Sequence, residues 1–189
     1  MTARRGTPAV SLALLRPTHA PAIVRWLRDP AVSANLGLRS KPSLAKTRAF
    51  IAAAADAAND ALCARAILLG ERHVGNVVLD QIDRHVGKAR LHIYVGAAGA
   101  RGRGVGRRAV QLALGLAFDR LGLHKVWLTV HARNRAAIRA YEAVGFAIEG
   151  VHRAEFLLDG ERIDELYMGA LRPAAVPSRP HGQRNRPVL

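Results

Sequence analysis

Hydrophobic positions along the chain change their period several times, and each change marks a predicted element. Leu91, Ile93 and Val95 alternate with more polar residues, which is the two-residue period of a strand with one buried face. Over residues 105–121, apolar side chains recur at helical spacing on two sides, as in a helix buried over most of its surface. In chain order, these patterns predict a strand over 9–15, helices over 19–28 and 43–58, strands over 62–69, 74–82 and 89–95, a helix over 105–121, a strand over 125–130, a helix over 134–144, and strands over 146–158 and 162–171.

The order of the predicted elements indicates the fold class. Three successive strands joined by short turns form an antiparallel meander, and the strands that follow alternate with helices. This order is typical of an α/β sandwich around a mixed sheet. A chain of 189 residues has the size of one ordinary domain, and we expect that domain to span residues 1–172. Residues 173–189 contain four prolines, three arginines and almost no large apolar side chain, which predicts a basic, disordered tail.

The chain is strongly basic, with a formal net charge of +15. Such a charge attracts phosphates, nucleic acids and acidic peptides, and it disfavours polycationic substrates. Most of the basic residues are arginines and alanine is abundant throughout, so part of the charge can reflect the composition of a GC-rich genome. The charge alone therefore does not separate a functional basic surface from an ordinary solvated one.

Composition excludes several classes of protein. The single cysteine, Cys63, excludes an internal disulfide framework and a multi-cysteine zinc site, and we expect it to be a small core residue. The eight histidines are scattered along the chain, and no metal site is expected. No run of about 20 apolar residues is present, so no transmembrane helix is predicted. Pro8 and Arg16 interrupt the N-terminal segment, which therefore lacks the apolar core of a signal peptide and favours a cytoplasmic protein.

A loop rich in glycine and arginine lies between the strand over 89–95 and the helix over 105–121. Its sequence is Arg101-Gly102-Arg103-Gly104-Val105-Gly106-Arg107-Arg108. Glycines allow several backbone N–H groups to point at one anion, and the start of the helix adds unpaired donors and a partial positive charge. The sequence therefore predicts a phosphate-binding loop. A dinucleotide-binding motif requires a glycine where Arg107 stands, and the Gly-Lys-Ser/Thr of a nucleotide P-loop is absent.

Two motifs in this part of the chain resemble signatures of one enzyme superfamily. The spacing Arg101-x-x-Gly104-x-Gly106 is similar to the pyrophosphate loop of the GNAT superfamily of acyl-CoA N-acyltransferases. After one further helix and strand, the second signature of that superfamily is matched by Asn134-x-x-Ala137-x-x-x-Tyr141-x-x-x-Gly145-Phe146. The resemblance covers residues 61–171. Segments 26–30 and 149–153 also resemble the branch that acetylates ribosomal proteins at an N-terminal alanine.

The resemblance implies a GNAT-like fold, with a mixed, mostly antiparallel central sheet flanked by helices on both faces, and it implies acetyl-CoA as the donor. The loop backbone would hold the pyrophosphate, the strand end near Val95 would meet the pantetheine arm, and a backbone N–H there would support the oxyanion. Asn134 would hydrogen-bond the donor or cap its helix. The residues assigned to donor binding are Tyr94, Val95, Arg101, Gly102, Arg103, Gly104, Val105, Gly106, Arg107, Asn134 and Tyr141.

Tyr141 is the residue that the resemblance assigns to proton transfer as a general acid. A phenol with a pKa of about 10 can give a proton to the departing CoA thiolate, although the same side chain could instead pack in the core beside Phe146. The superfamily often carries a glutamate on the strand after the donor helix, and the strand over 125–130 has no acid. We assign the general base to His92 and keep three other candidates, His131, Asp80 and Glu155.

The acceptor is expected to be an amine. An α-amino group, with a pKa of about 8, needs less help to become a neutral nucleophile than a lysine side chain at about 10.4. We therefore expect a protein N-terminal α-amine, for example that of a ribosomal protein docked on the basic surface. Small-molecule amines such as amino sugars, amino acids or antibiotics are the alternative, and like charge disfavours polyamines and aminoglycosides.

A nucleic-acid- or ribosome-binding module without catalysis is an alternative of another class. The net charge and the basic tail favour it, but the chain has only nine aromatic residues and no recognisable reading helix. A GNAT fold that binds CoA without transferring an acetyl group is a third hypothesis. The sequence fits a monomer or a homodimer equally well.

Overall fold

The computed structural model describes residues 9–38, 40–56, 58–158 and 160–174. The predicted tail over 173–189 lies almost wholly outside these ranges. The helices and strands are, in chain order, β1 (Val10–Leu14), α1 (Ala20–Leu27), α2 (Pro30–Ser33), α3 (Leu44–Ala55), β2 (Cys63–Leu69), β3 (Arg72–Asp83), β4 (Lys88–Val95), α4 (Val105–Gly115), β5 (Lys125–His131), α5 (Arg135–Glu142), β6 (Ala147–Leu158) and β7 (Glu161–Leu171).

All seven strands form one sheet in the order β1-β2-β3-β4-β5-β7-β6. Every neighbouring pair that the structure describes is antiparallel except β4–β5, which is parallel. The segment containing α4 makes the crossover that a parallel pair requires. The predicted fold class, a mixed and mostly antiparallel sheet with helices on both faces, is confirmed.

Successive side chains of a strand point to opposite faces of the sheet, so each face packs its own apolar residues against the helices that cover it. The larger core lies between the sheet and the pair α4 and α5, and it contains the apolar face of β5, namely Val126, Leu128 and Val130. A smaller core lies on the other face, where Ile23 of α1 and Ile51 of α3 pack over Ala64 and Ala66 of β2. The two alanines leave room for the helices to approach the sheet closely. Helices α1 and α3 cover the β1–β3 end of this second face, and Trp26 of α1 also reaches Tyr94 of β4.

Strands β4 and β5 pair at one end only. Residues 88–90 of β4 pair with residues 125–127 of β5. Within the described residues, the two strands do not pair beyond these positions. Past Arg90 and Trp127 the strands separate, although both run on for several residues. A wedge-shaped gap therefore opens in the middle of the sheet, beside the glycine loop and the start of α4.

The structure differs from the predicted elements in two helices. The sequence predicts a helix that ends at residue 28 and none directly after it, whereas Asp29 caps α2 by accepting a hydrogen bond from the backbone N–H of Ala31 at 3.0 Å. The helix predicted over 105–121 is α-helical to Gly115 and then continues as a π-helical turn, Leu116–Arg120. No helix within the described ranges is long and apolar enough to cross a membrane.

Candidate active site

A cleft of about 890 Å³ occupies the gap between β4 and β5. Its walls come from these two strands, the glycine loop with the start of α4, α5, the loop after α2, and the β6–β7 hairpin. Of the predicted donor-binding residues, Arg103 alone lies outside the lining. The polar and charged side chains that line the cleft are Asn35, Arg90, His92, Tyr94, Arg101, Arg107, Thr129, His131, Asn134, Tyr141, Glu155 and Glu165.

The glycine loop enters α4 through two residues in the left-handed region. Gly102 and Gly104 have φ angles of 70° and 75°, and a Cβ atom at either position would meet nothing within 4 Å. Backbone conformation and not crowding therefore requires glycine there. Gly104 directly precedes α4, whose first turn contains no acidic residue. The unpaired N–H groups of this helix end lie at the wall of the cleft, where the helix dipole favours an anion.

The side chain of Arg101 is bound within the protein, while its backbone belongs to the loop that is predicted to hold the pyrophosphate. Its Nε donates a hydrogen bond to the carbonyl oxygen of Val95 at 2.9 Å, and its Nη2 donates to that of Gly96 at 2.8 Å. The same Nη2 lies 3.3 Å from Oδ2 of Asp29, the residue that caps α2. The guanidinium fork thus ties the end of β4 to α2. It also uses one lone pair on each of the carbonyl oxygens of Val95 and Gly96, at the strand end that is predicted to meet the pantetheine arm.

Replacing Arg101 by alanine is expected to lower the free energy of unfolding by about 2–3 kcal/mol, because two carbonyl oxygens lose their donor. The partly exposed ion pair with Asp29 adds little to this. Lysine should rescue poorly, since an ammonium group lacks the planar fork. Urea unfolding measures the effect, with Arg103→Ala as the matched control because its Nη1 makes one long bond of 3.4 Å to Gly99. Equal losses in the Arg101 and Arg103 variants would contradict the linking role.

Tyr94 is positioned by a buried polar network. Its hydroxyl accepts a hydrogen bond from Nδ2 of Asn76 at 2.5 Å, and Oδ1 of Asn76 lies 2.9 Å from Nε2 of His73. Trp26 of α1 packs edge-on against both His73 and Tyr94. Burial raises the pKa of Tyr94, so its phenol stays neutral in the wall of the cleft. Sequence analysis missed Asn76 and His73, because strand alternation does not reveal which polar side chains meet across two strands.

Asn134 and Tyr141 lie on α5 and its cap, which form one wall of the cleft. Oδ1 of Asn134 accepts a hydrogen bond from the backbone N–H of Ala137 at 3.1 Å, so this residue caps the helix, as one of its two predicted roles requires. Tyr141 packs against Phe146 with ring centroids 5.7 Å apart and also lines the cleft, so its two alternative placements coexist. Burial raises the pKa of Tyr141 to about 12.

Two of the predicted base candidates line the cleft with carboxylate neighbours. Nε2 of His92 lies 3.2 Å from Oδ1 and 3.1 Å from Oδ2 of Asp80, and the His92 side chain is 39% exposed. His131 is more buried, and burial lowers its pKa while the charge of Glu165 opposes that shift. Asp80 lies outside the lining of the cleft. Its contact with the site is through His92.

The wall formed by the loop after α2 and the β6–β7 hairpin carries two carboxylates, Glu155 and Glu165. Phe156 closes this wall against the loop, since a Cβ atom on Gly37 would lie 3.1 Å from its ring. Sequence analysis had not singled out Glu165, because no local pattern shows that β7 inserts between β5 and β6. No group of three or more His, Cys, Asp or Glu side chains among the described residues could hold a metal ion.

Comparison with known proteins gives a family match and several relatives. A family model described as an acetyltransferase (GNAT) domain matches residues 10–147. Spermidine N(1)-acetyltransferase of Escherichia coli (strain K12) is 33% identical over 103 residues, covering 54% of this chain and 52% of that protein. Probable N-acetyltransferase YjcK of Bacillus subtilis (strain 168) is 31% identical over 103 residues, covering 54% of this chain and 57% of that protein. The matched segments thus span about half the length of these curated relatives.

Solved structures extend the similarity over most of the chain. The crystal structure of spermidine N-acetyltransferase from Vibrio cholerae in complex with CoA and spermine superimposes with a TM-score of 0.79 at 23% sequence identity. The match covers 86% of this chain and 95% of that one. Similarity at this level of identity establishes that the two chains share a fold.

Proposed function

The chain belongs to the GNAT acetyltransferase family, and on this basis we propose that it transfers an acetyl group from acetyl-CoA to a primary amine of a small molecule. Membership of the family confirms the superfamily that the two sequence motifs indicated. The ribosomal-protein branch is not confirmed, and the spermidine acetyltransferases among the relatives favour the small-molecule alternative over a protein N-terminus. No specific observation on the described residues favours the nucleic-acid-binding alternative.

The glycine loop supports acetyl-CoA as the donor. The diphosphate of CoA is an anion of the kind that left-handed glycines and the start of a helix bind through backbone N–H groups. Gly102 and Gly104 supply that conformation, and Arg107 adds a positive charge to the lining of the cleft. Tyr141 lines the same cleft and can donate a hydrogen bond to the sulfur as the thioester breaks.

The two carboxylates in the cleft are the observation that carries the proposed acceptor class. A primary amine arrives mostly as an ammonium ion at neutral pH, and a carboxylate is the group that binds it most favourably. Glu155 and Glu165 lie in the wall of the same cleft as the glycine loop and Tyr141. The cleft therefore combines a positive donor side with an acidic wall suited to a small cation.

The net charge of +15 does not oppose a cationic acceptor once the local charges are considered. Exposed charges are screened beyond about 8 Å at physiological salt, so the nearest groups decide. Arg90 is one of the arginines that line the cleft, and its guanidinium group is engaged by Thr129 at 3.3 Å and by the Trp127 ring at 5.2 Å. We therefore set aside the expectation that like charge disfavours polyamines, and we propose spermidine and spermine as the first acceptors to test.

A panel of amines tests this function. Purified protein is mixed with acetyl-CoA and, in separate reactions, spermidine, spermine, an amino sugar, an amino acid and a peptide that begins with alanine. Mass spectrometry should find a product heavier by one acetyl group for at least one small amine, formed at least about tenfold faster than from the peptide. Faster acetylation of the peptide would reverse the proposed acceptor class, and no product with any amine would refute the activity.

A further inference from the structure

His131 is a buried histidine whose ring nitrogens lack a hydrogen-bond partner. It ends β5, its side chain is 5% exposed, and its ring centroid lies 3.9 Å from that of Phe156. Nδ1 is buried and bonds to none of the described residues. Nε2 lies 3.8 Å from Oε1 of Glu165, which is too far for a hydrogen bond.

Such a state calls for a ligand. Buried polar groups in native proteins are nearly always paired, and each exception needs an explanation such as a catalytic role or a bound molecule. His131 and Glu165 both line the cleft between β4 and β5. A group from the acceptor that bonds to both side chains would give Nε2 of His131 and the Glu165 carboxylate a shared partner across the 3.8 Å that separates them.

We propose that His131 and Glu165 together bind the ammonium group of the acceptor and that His131 removes its proton. This inference rests on the acetyltransferase function proposed above. It assigns the general base to His131 in place of His92. The Nε2 of His92 already bonds to Asp80, and the His92 side chain is much more exposed than that of His131.

The distance between the two side chains suits an ammonium ion. The nitrogen of a protonated primary amine carries three N–H donors. If this nitrogen lies about 2.9 Å from each partner, it can bridge the gap of 3.8 Å between Nε2 of His131 and Oε1 of Glu165. The Glu165 side chain is 18% exposed, so it is largely shielded from solvent. Glu155 of β6 adds a second negative charge to the same wall.

The surroundings of His131 favour the neutral imidazole that a base requires. Burial lowers its pKa, and the nearby charge of Glu165 offsets this only in part. Glu155 from β6, and Arg90 and His92 from β4, are the other charged or titratable groups of the cleft on this side. A histidine with a pKa below the ordinary value of about 6.5 is neutral at pH 7 and can accept a proton.

Atoms and charges balance in the resulting reaction. One proton of the ammonium ion passes to Nε2 of His131, and the freed lone pair attacks the thioester carbonyl carbon. The carbon–sulfur bond then breaks while the hydroxyl of Tyr141 gives its proton to the sulfur. The attacking nitrogen, which is cationic after attack, returns a proton to Tyr141, and His131 releases the first proton to solvent. The products are the N-acetyl amine, the CoA thiol and one proton.

The pH dependence of kcat/KM for spermidine tests the proposal. The wild-type protein should show a nearly flat profile from about pH 7 to about pH 9, because it takes the abundant ammonium form and deprotonates it in the cleft. His131→Gln should lose about 100- to 1,000-fold at pH 7. It should then gain about tenfold per pH unit toward the amine's own pKa of about 10, because the free amine must now come from solution. A purely structural role would lower activity without this slope.

Control variants separate the outcomes. His85→Gln removes an exposed histidine of the β3–β4 turn and should keep the wild-type profile. Glu165→Gln should raise the KM for spermidine about tenfold while calorimetry shows unchanged CoA binding. A wild-type profile in His131→Gln, or the slope appearing in His92→Gln instead, would overturn the proposal. If His131→Gln does not fold, an unchanged KM in Glu165→Gln overturns it alone. Absence of transfer by the wild-type protein would refute the proposed function and not this assignment.

Discussion

Replacing Tyr141 by phenylalanine is expected to lower kcat about 100- to 1,000-fold and to leave the affinity for CoA nearly unchanged. Phenylalanine keeps the ring that packs against Phe146, so the fold should be retained. Only the hydroxyl is lost, in a side chain that lines the cleft between β4 and β5. The interaction removed is one that strengthens as charge develops on the sulfur, which is why kcat and not binding should respond.

The pKa of Tyr141, which burial raises to about 12, explains how this hydroxyl acts. A thiol ionises at about 8.5, so complete proton transfer from an isolated phenol to a thiolate would be uphill. The phenol therefore stabilises the leaving sulfur first as a hydrogen-bond donor. Transfer is completed when the attacking nitrogen, cationic after attack, replaces the proton.

Thiol release in a single-turnover reaction measures the step directly, because product release does not contribute to it. Tyr167→Phe is the matched control, since Tyr167 stacks on Trp127 with ring centroids 5.0 Å apart and does not line the cleft. Turnover in Tyr141→Phe that equals that of the control would remove Tyr141 from the role of general acid.

Gly96→Ala is expected to destabilise the protein by about 3 kcal/mol, because a small-to-large change in a packed site forces its neighbours apart. A Cβ atom at Gly96 would lie 2.1 Å from a ring carbon of Trp26. Trp26 is itself buried, and it packs against the network of His73 and Tyr94. The ring cannot move without disturbing α1 and the end of β4, so CoA affinity should fall as well.

Urea unfolding and calorimetry with CoA check both parts of this expectation. Gly99→Ala is a matched control three residues further on, where a Cβ atom would meet nothing within 4 Å. Its free energy of unfolding should change by less than about 0.5 kcal/mol. A Gly96 variant as stable as the Gly99 variant would mean that the contact between Trp26 and the end of β4 does not constrain this part of the fold.

The half of the cleft that is predicted from the sequence depends on residues that are close together in the chain. The turn from Gly102 to Gly106 and the helix beginning at Val105 form a continuous segment, so its spacing alone is enough to predict a phosphate-binding loop. Asn134 and Tyr141 are likewise separated by less than two full turns of one helix. Local patterns of this kind can be recognised in a single sequence without any knowledge of the tertiary structure.

Only part of the acidic wall could be predicted, because it comes from distant segments: Glu155 was a candidate base, whereas Glu165 was not singled out. Glu165 reaches the cleft only because β7 lies between β5 and β6, an order that differs from the order along the chain. Phe156 meets Gly37 across more than a hundred residues. The hydrogen bonds of the Arg101 guanidinium group could not be predicted for a related reason, since nothing in its own motif shows that it meets Asp29 and two backbone carbonyls.

The two sides of the cleft are built from different kinds of atoms, and they should therefore change at different rates during evolution. The loop before α4 offers mainly backbone groups, which persist through most substitutions as long as the left-handed glycines remain. The opposite wall depends on individual side chains from three separate segments, each of which can drift independently. Descendants of such a chain can acquire new amines as substrates while they continue to draw on the same activated acetyl pool.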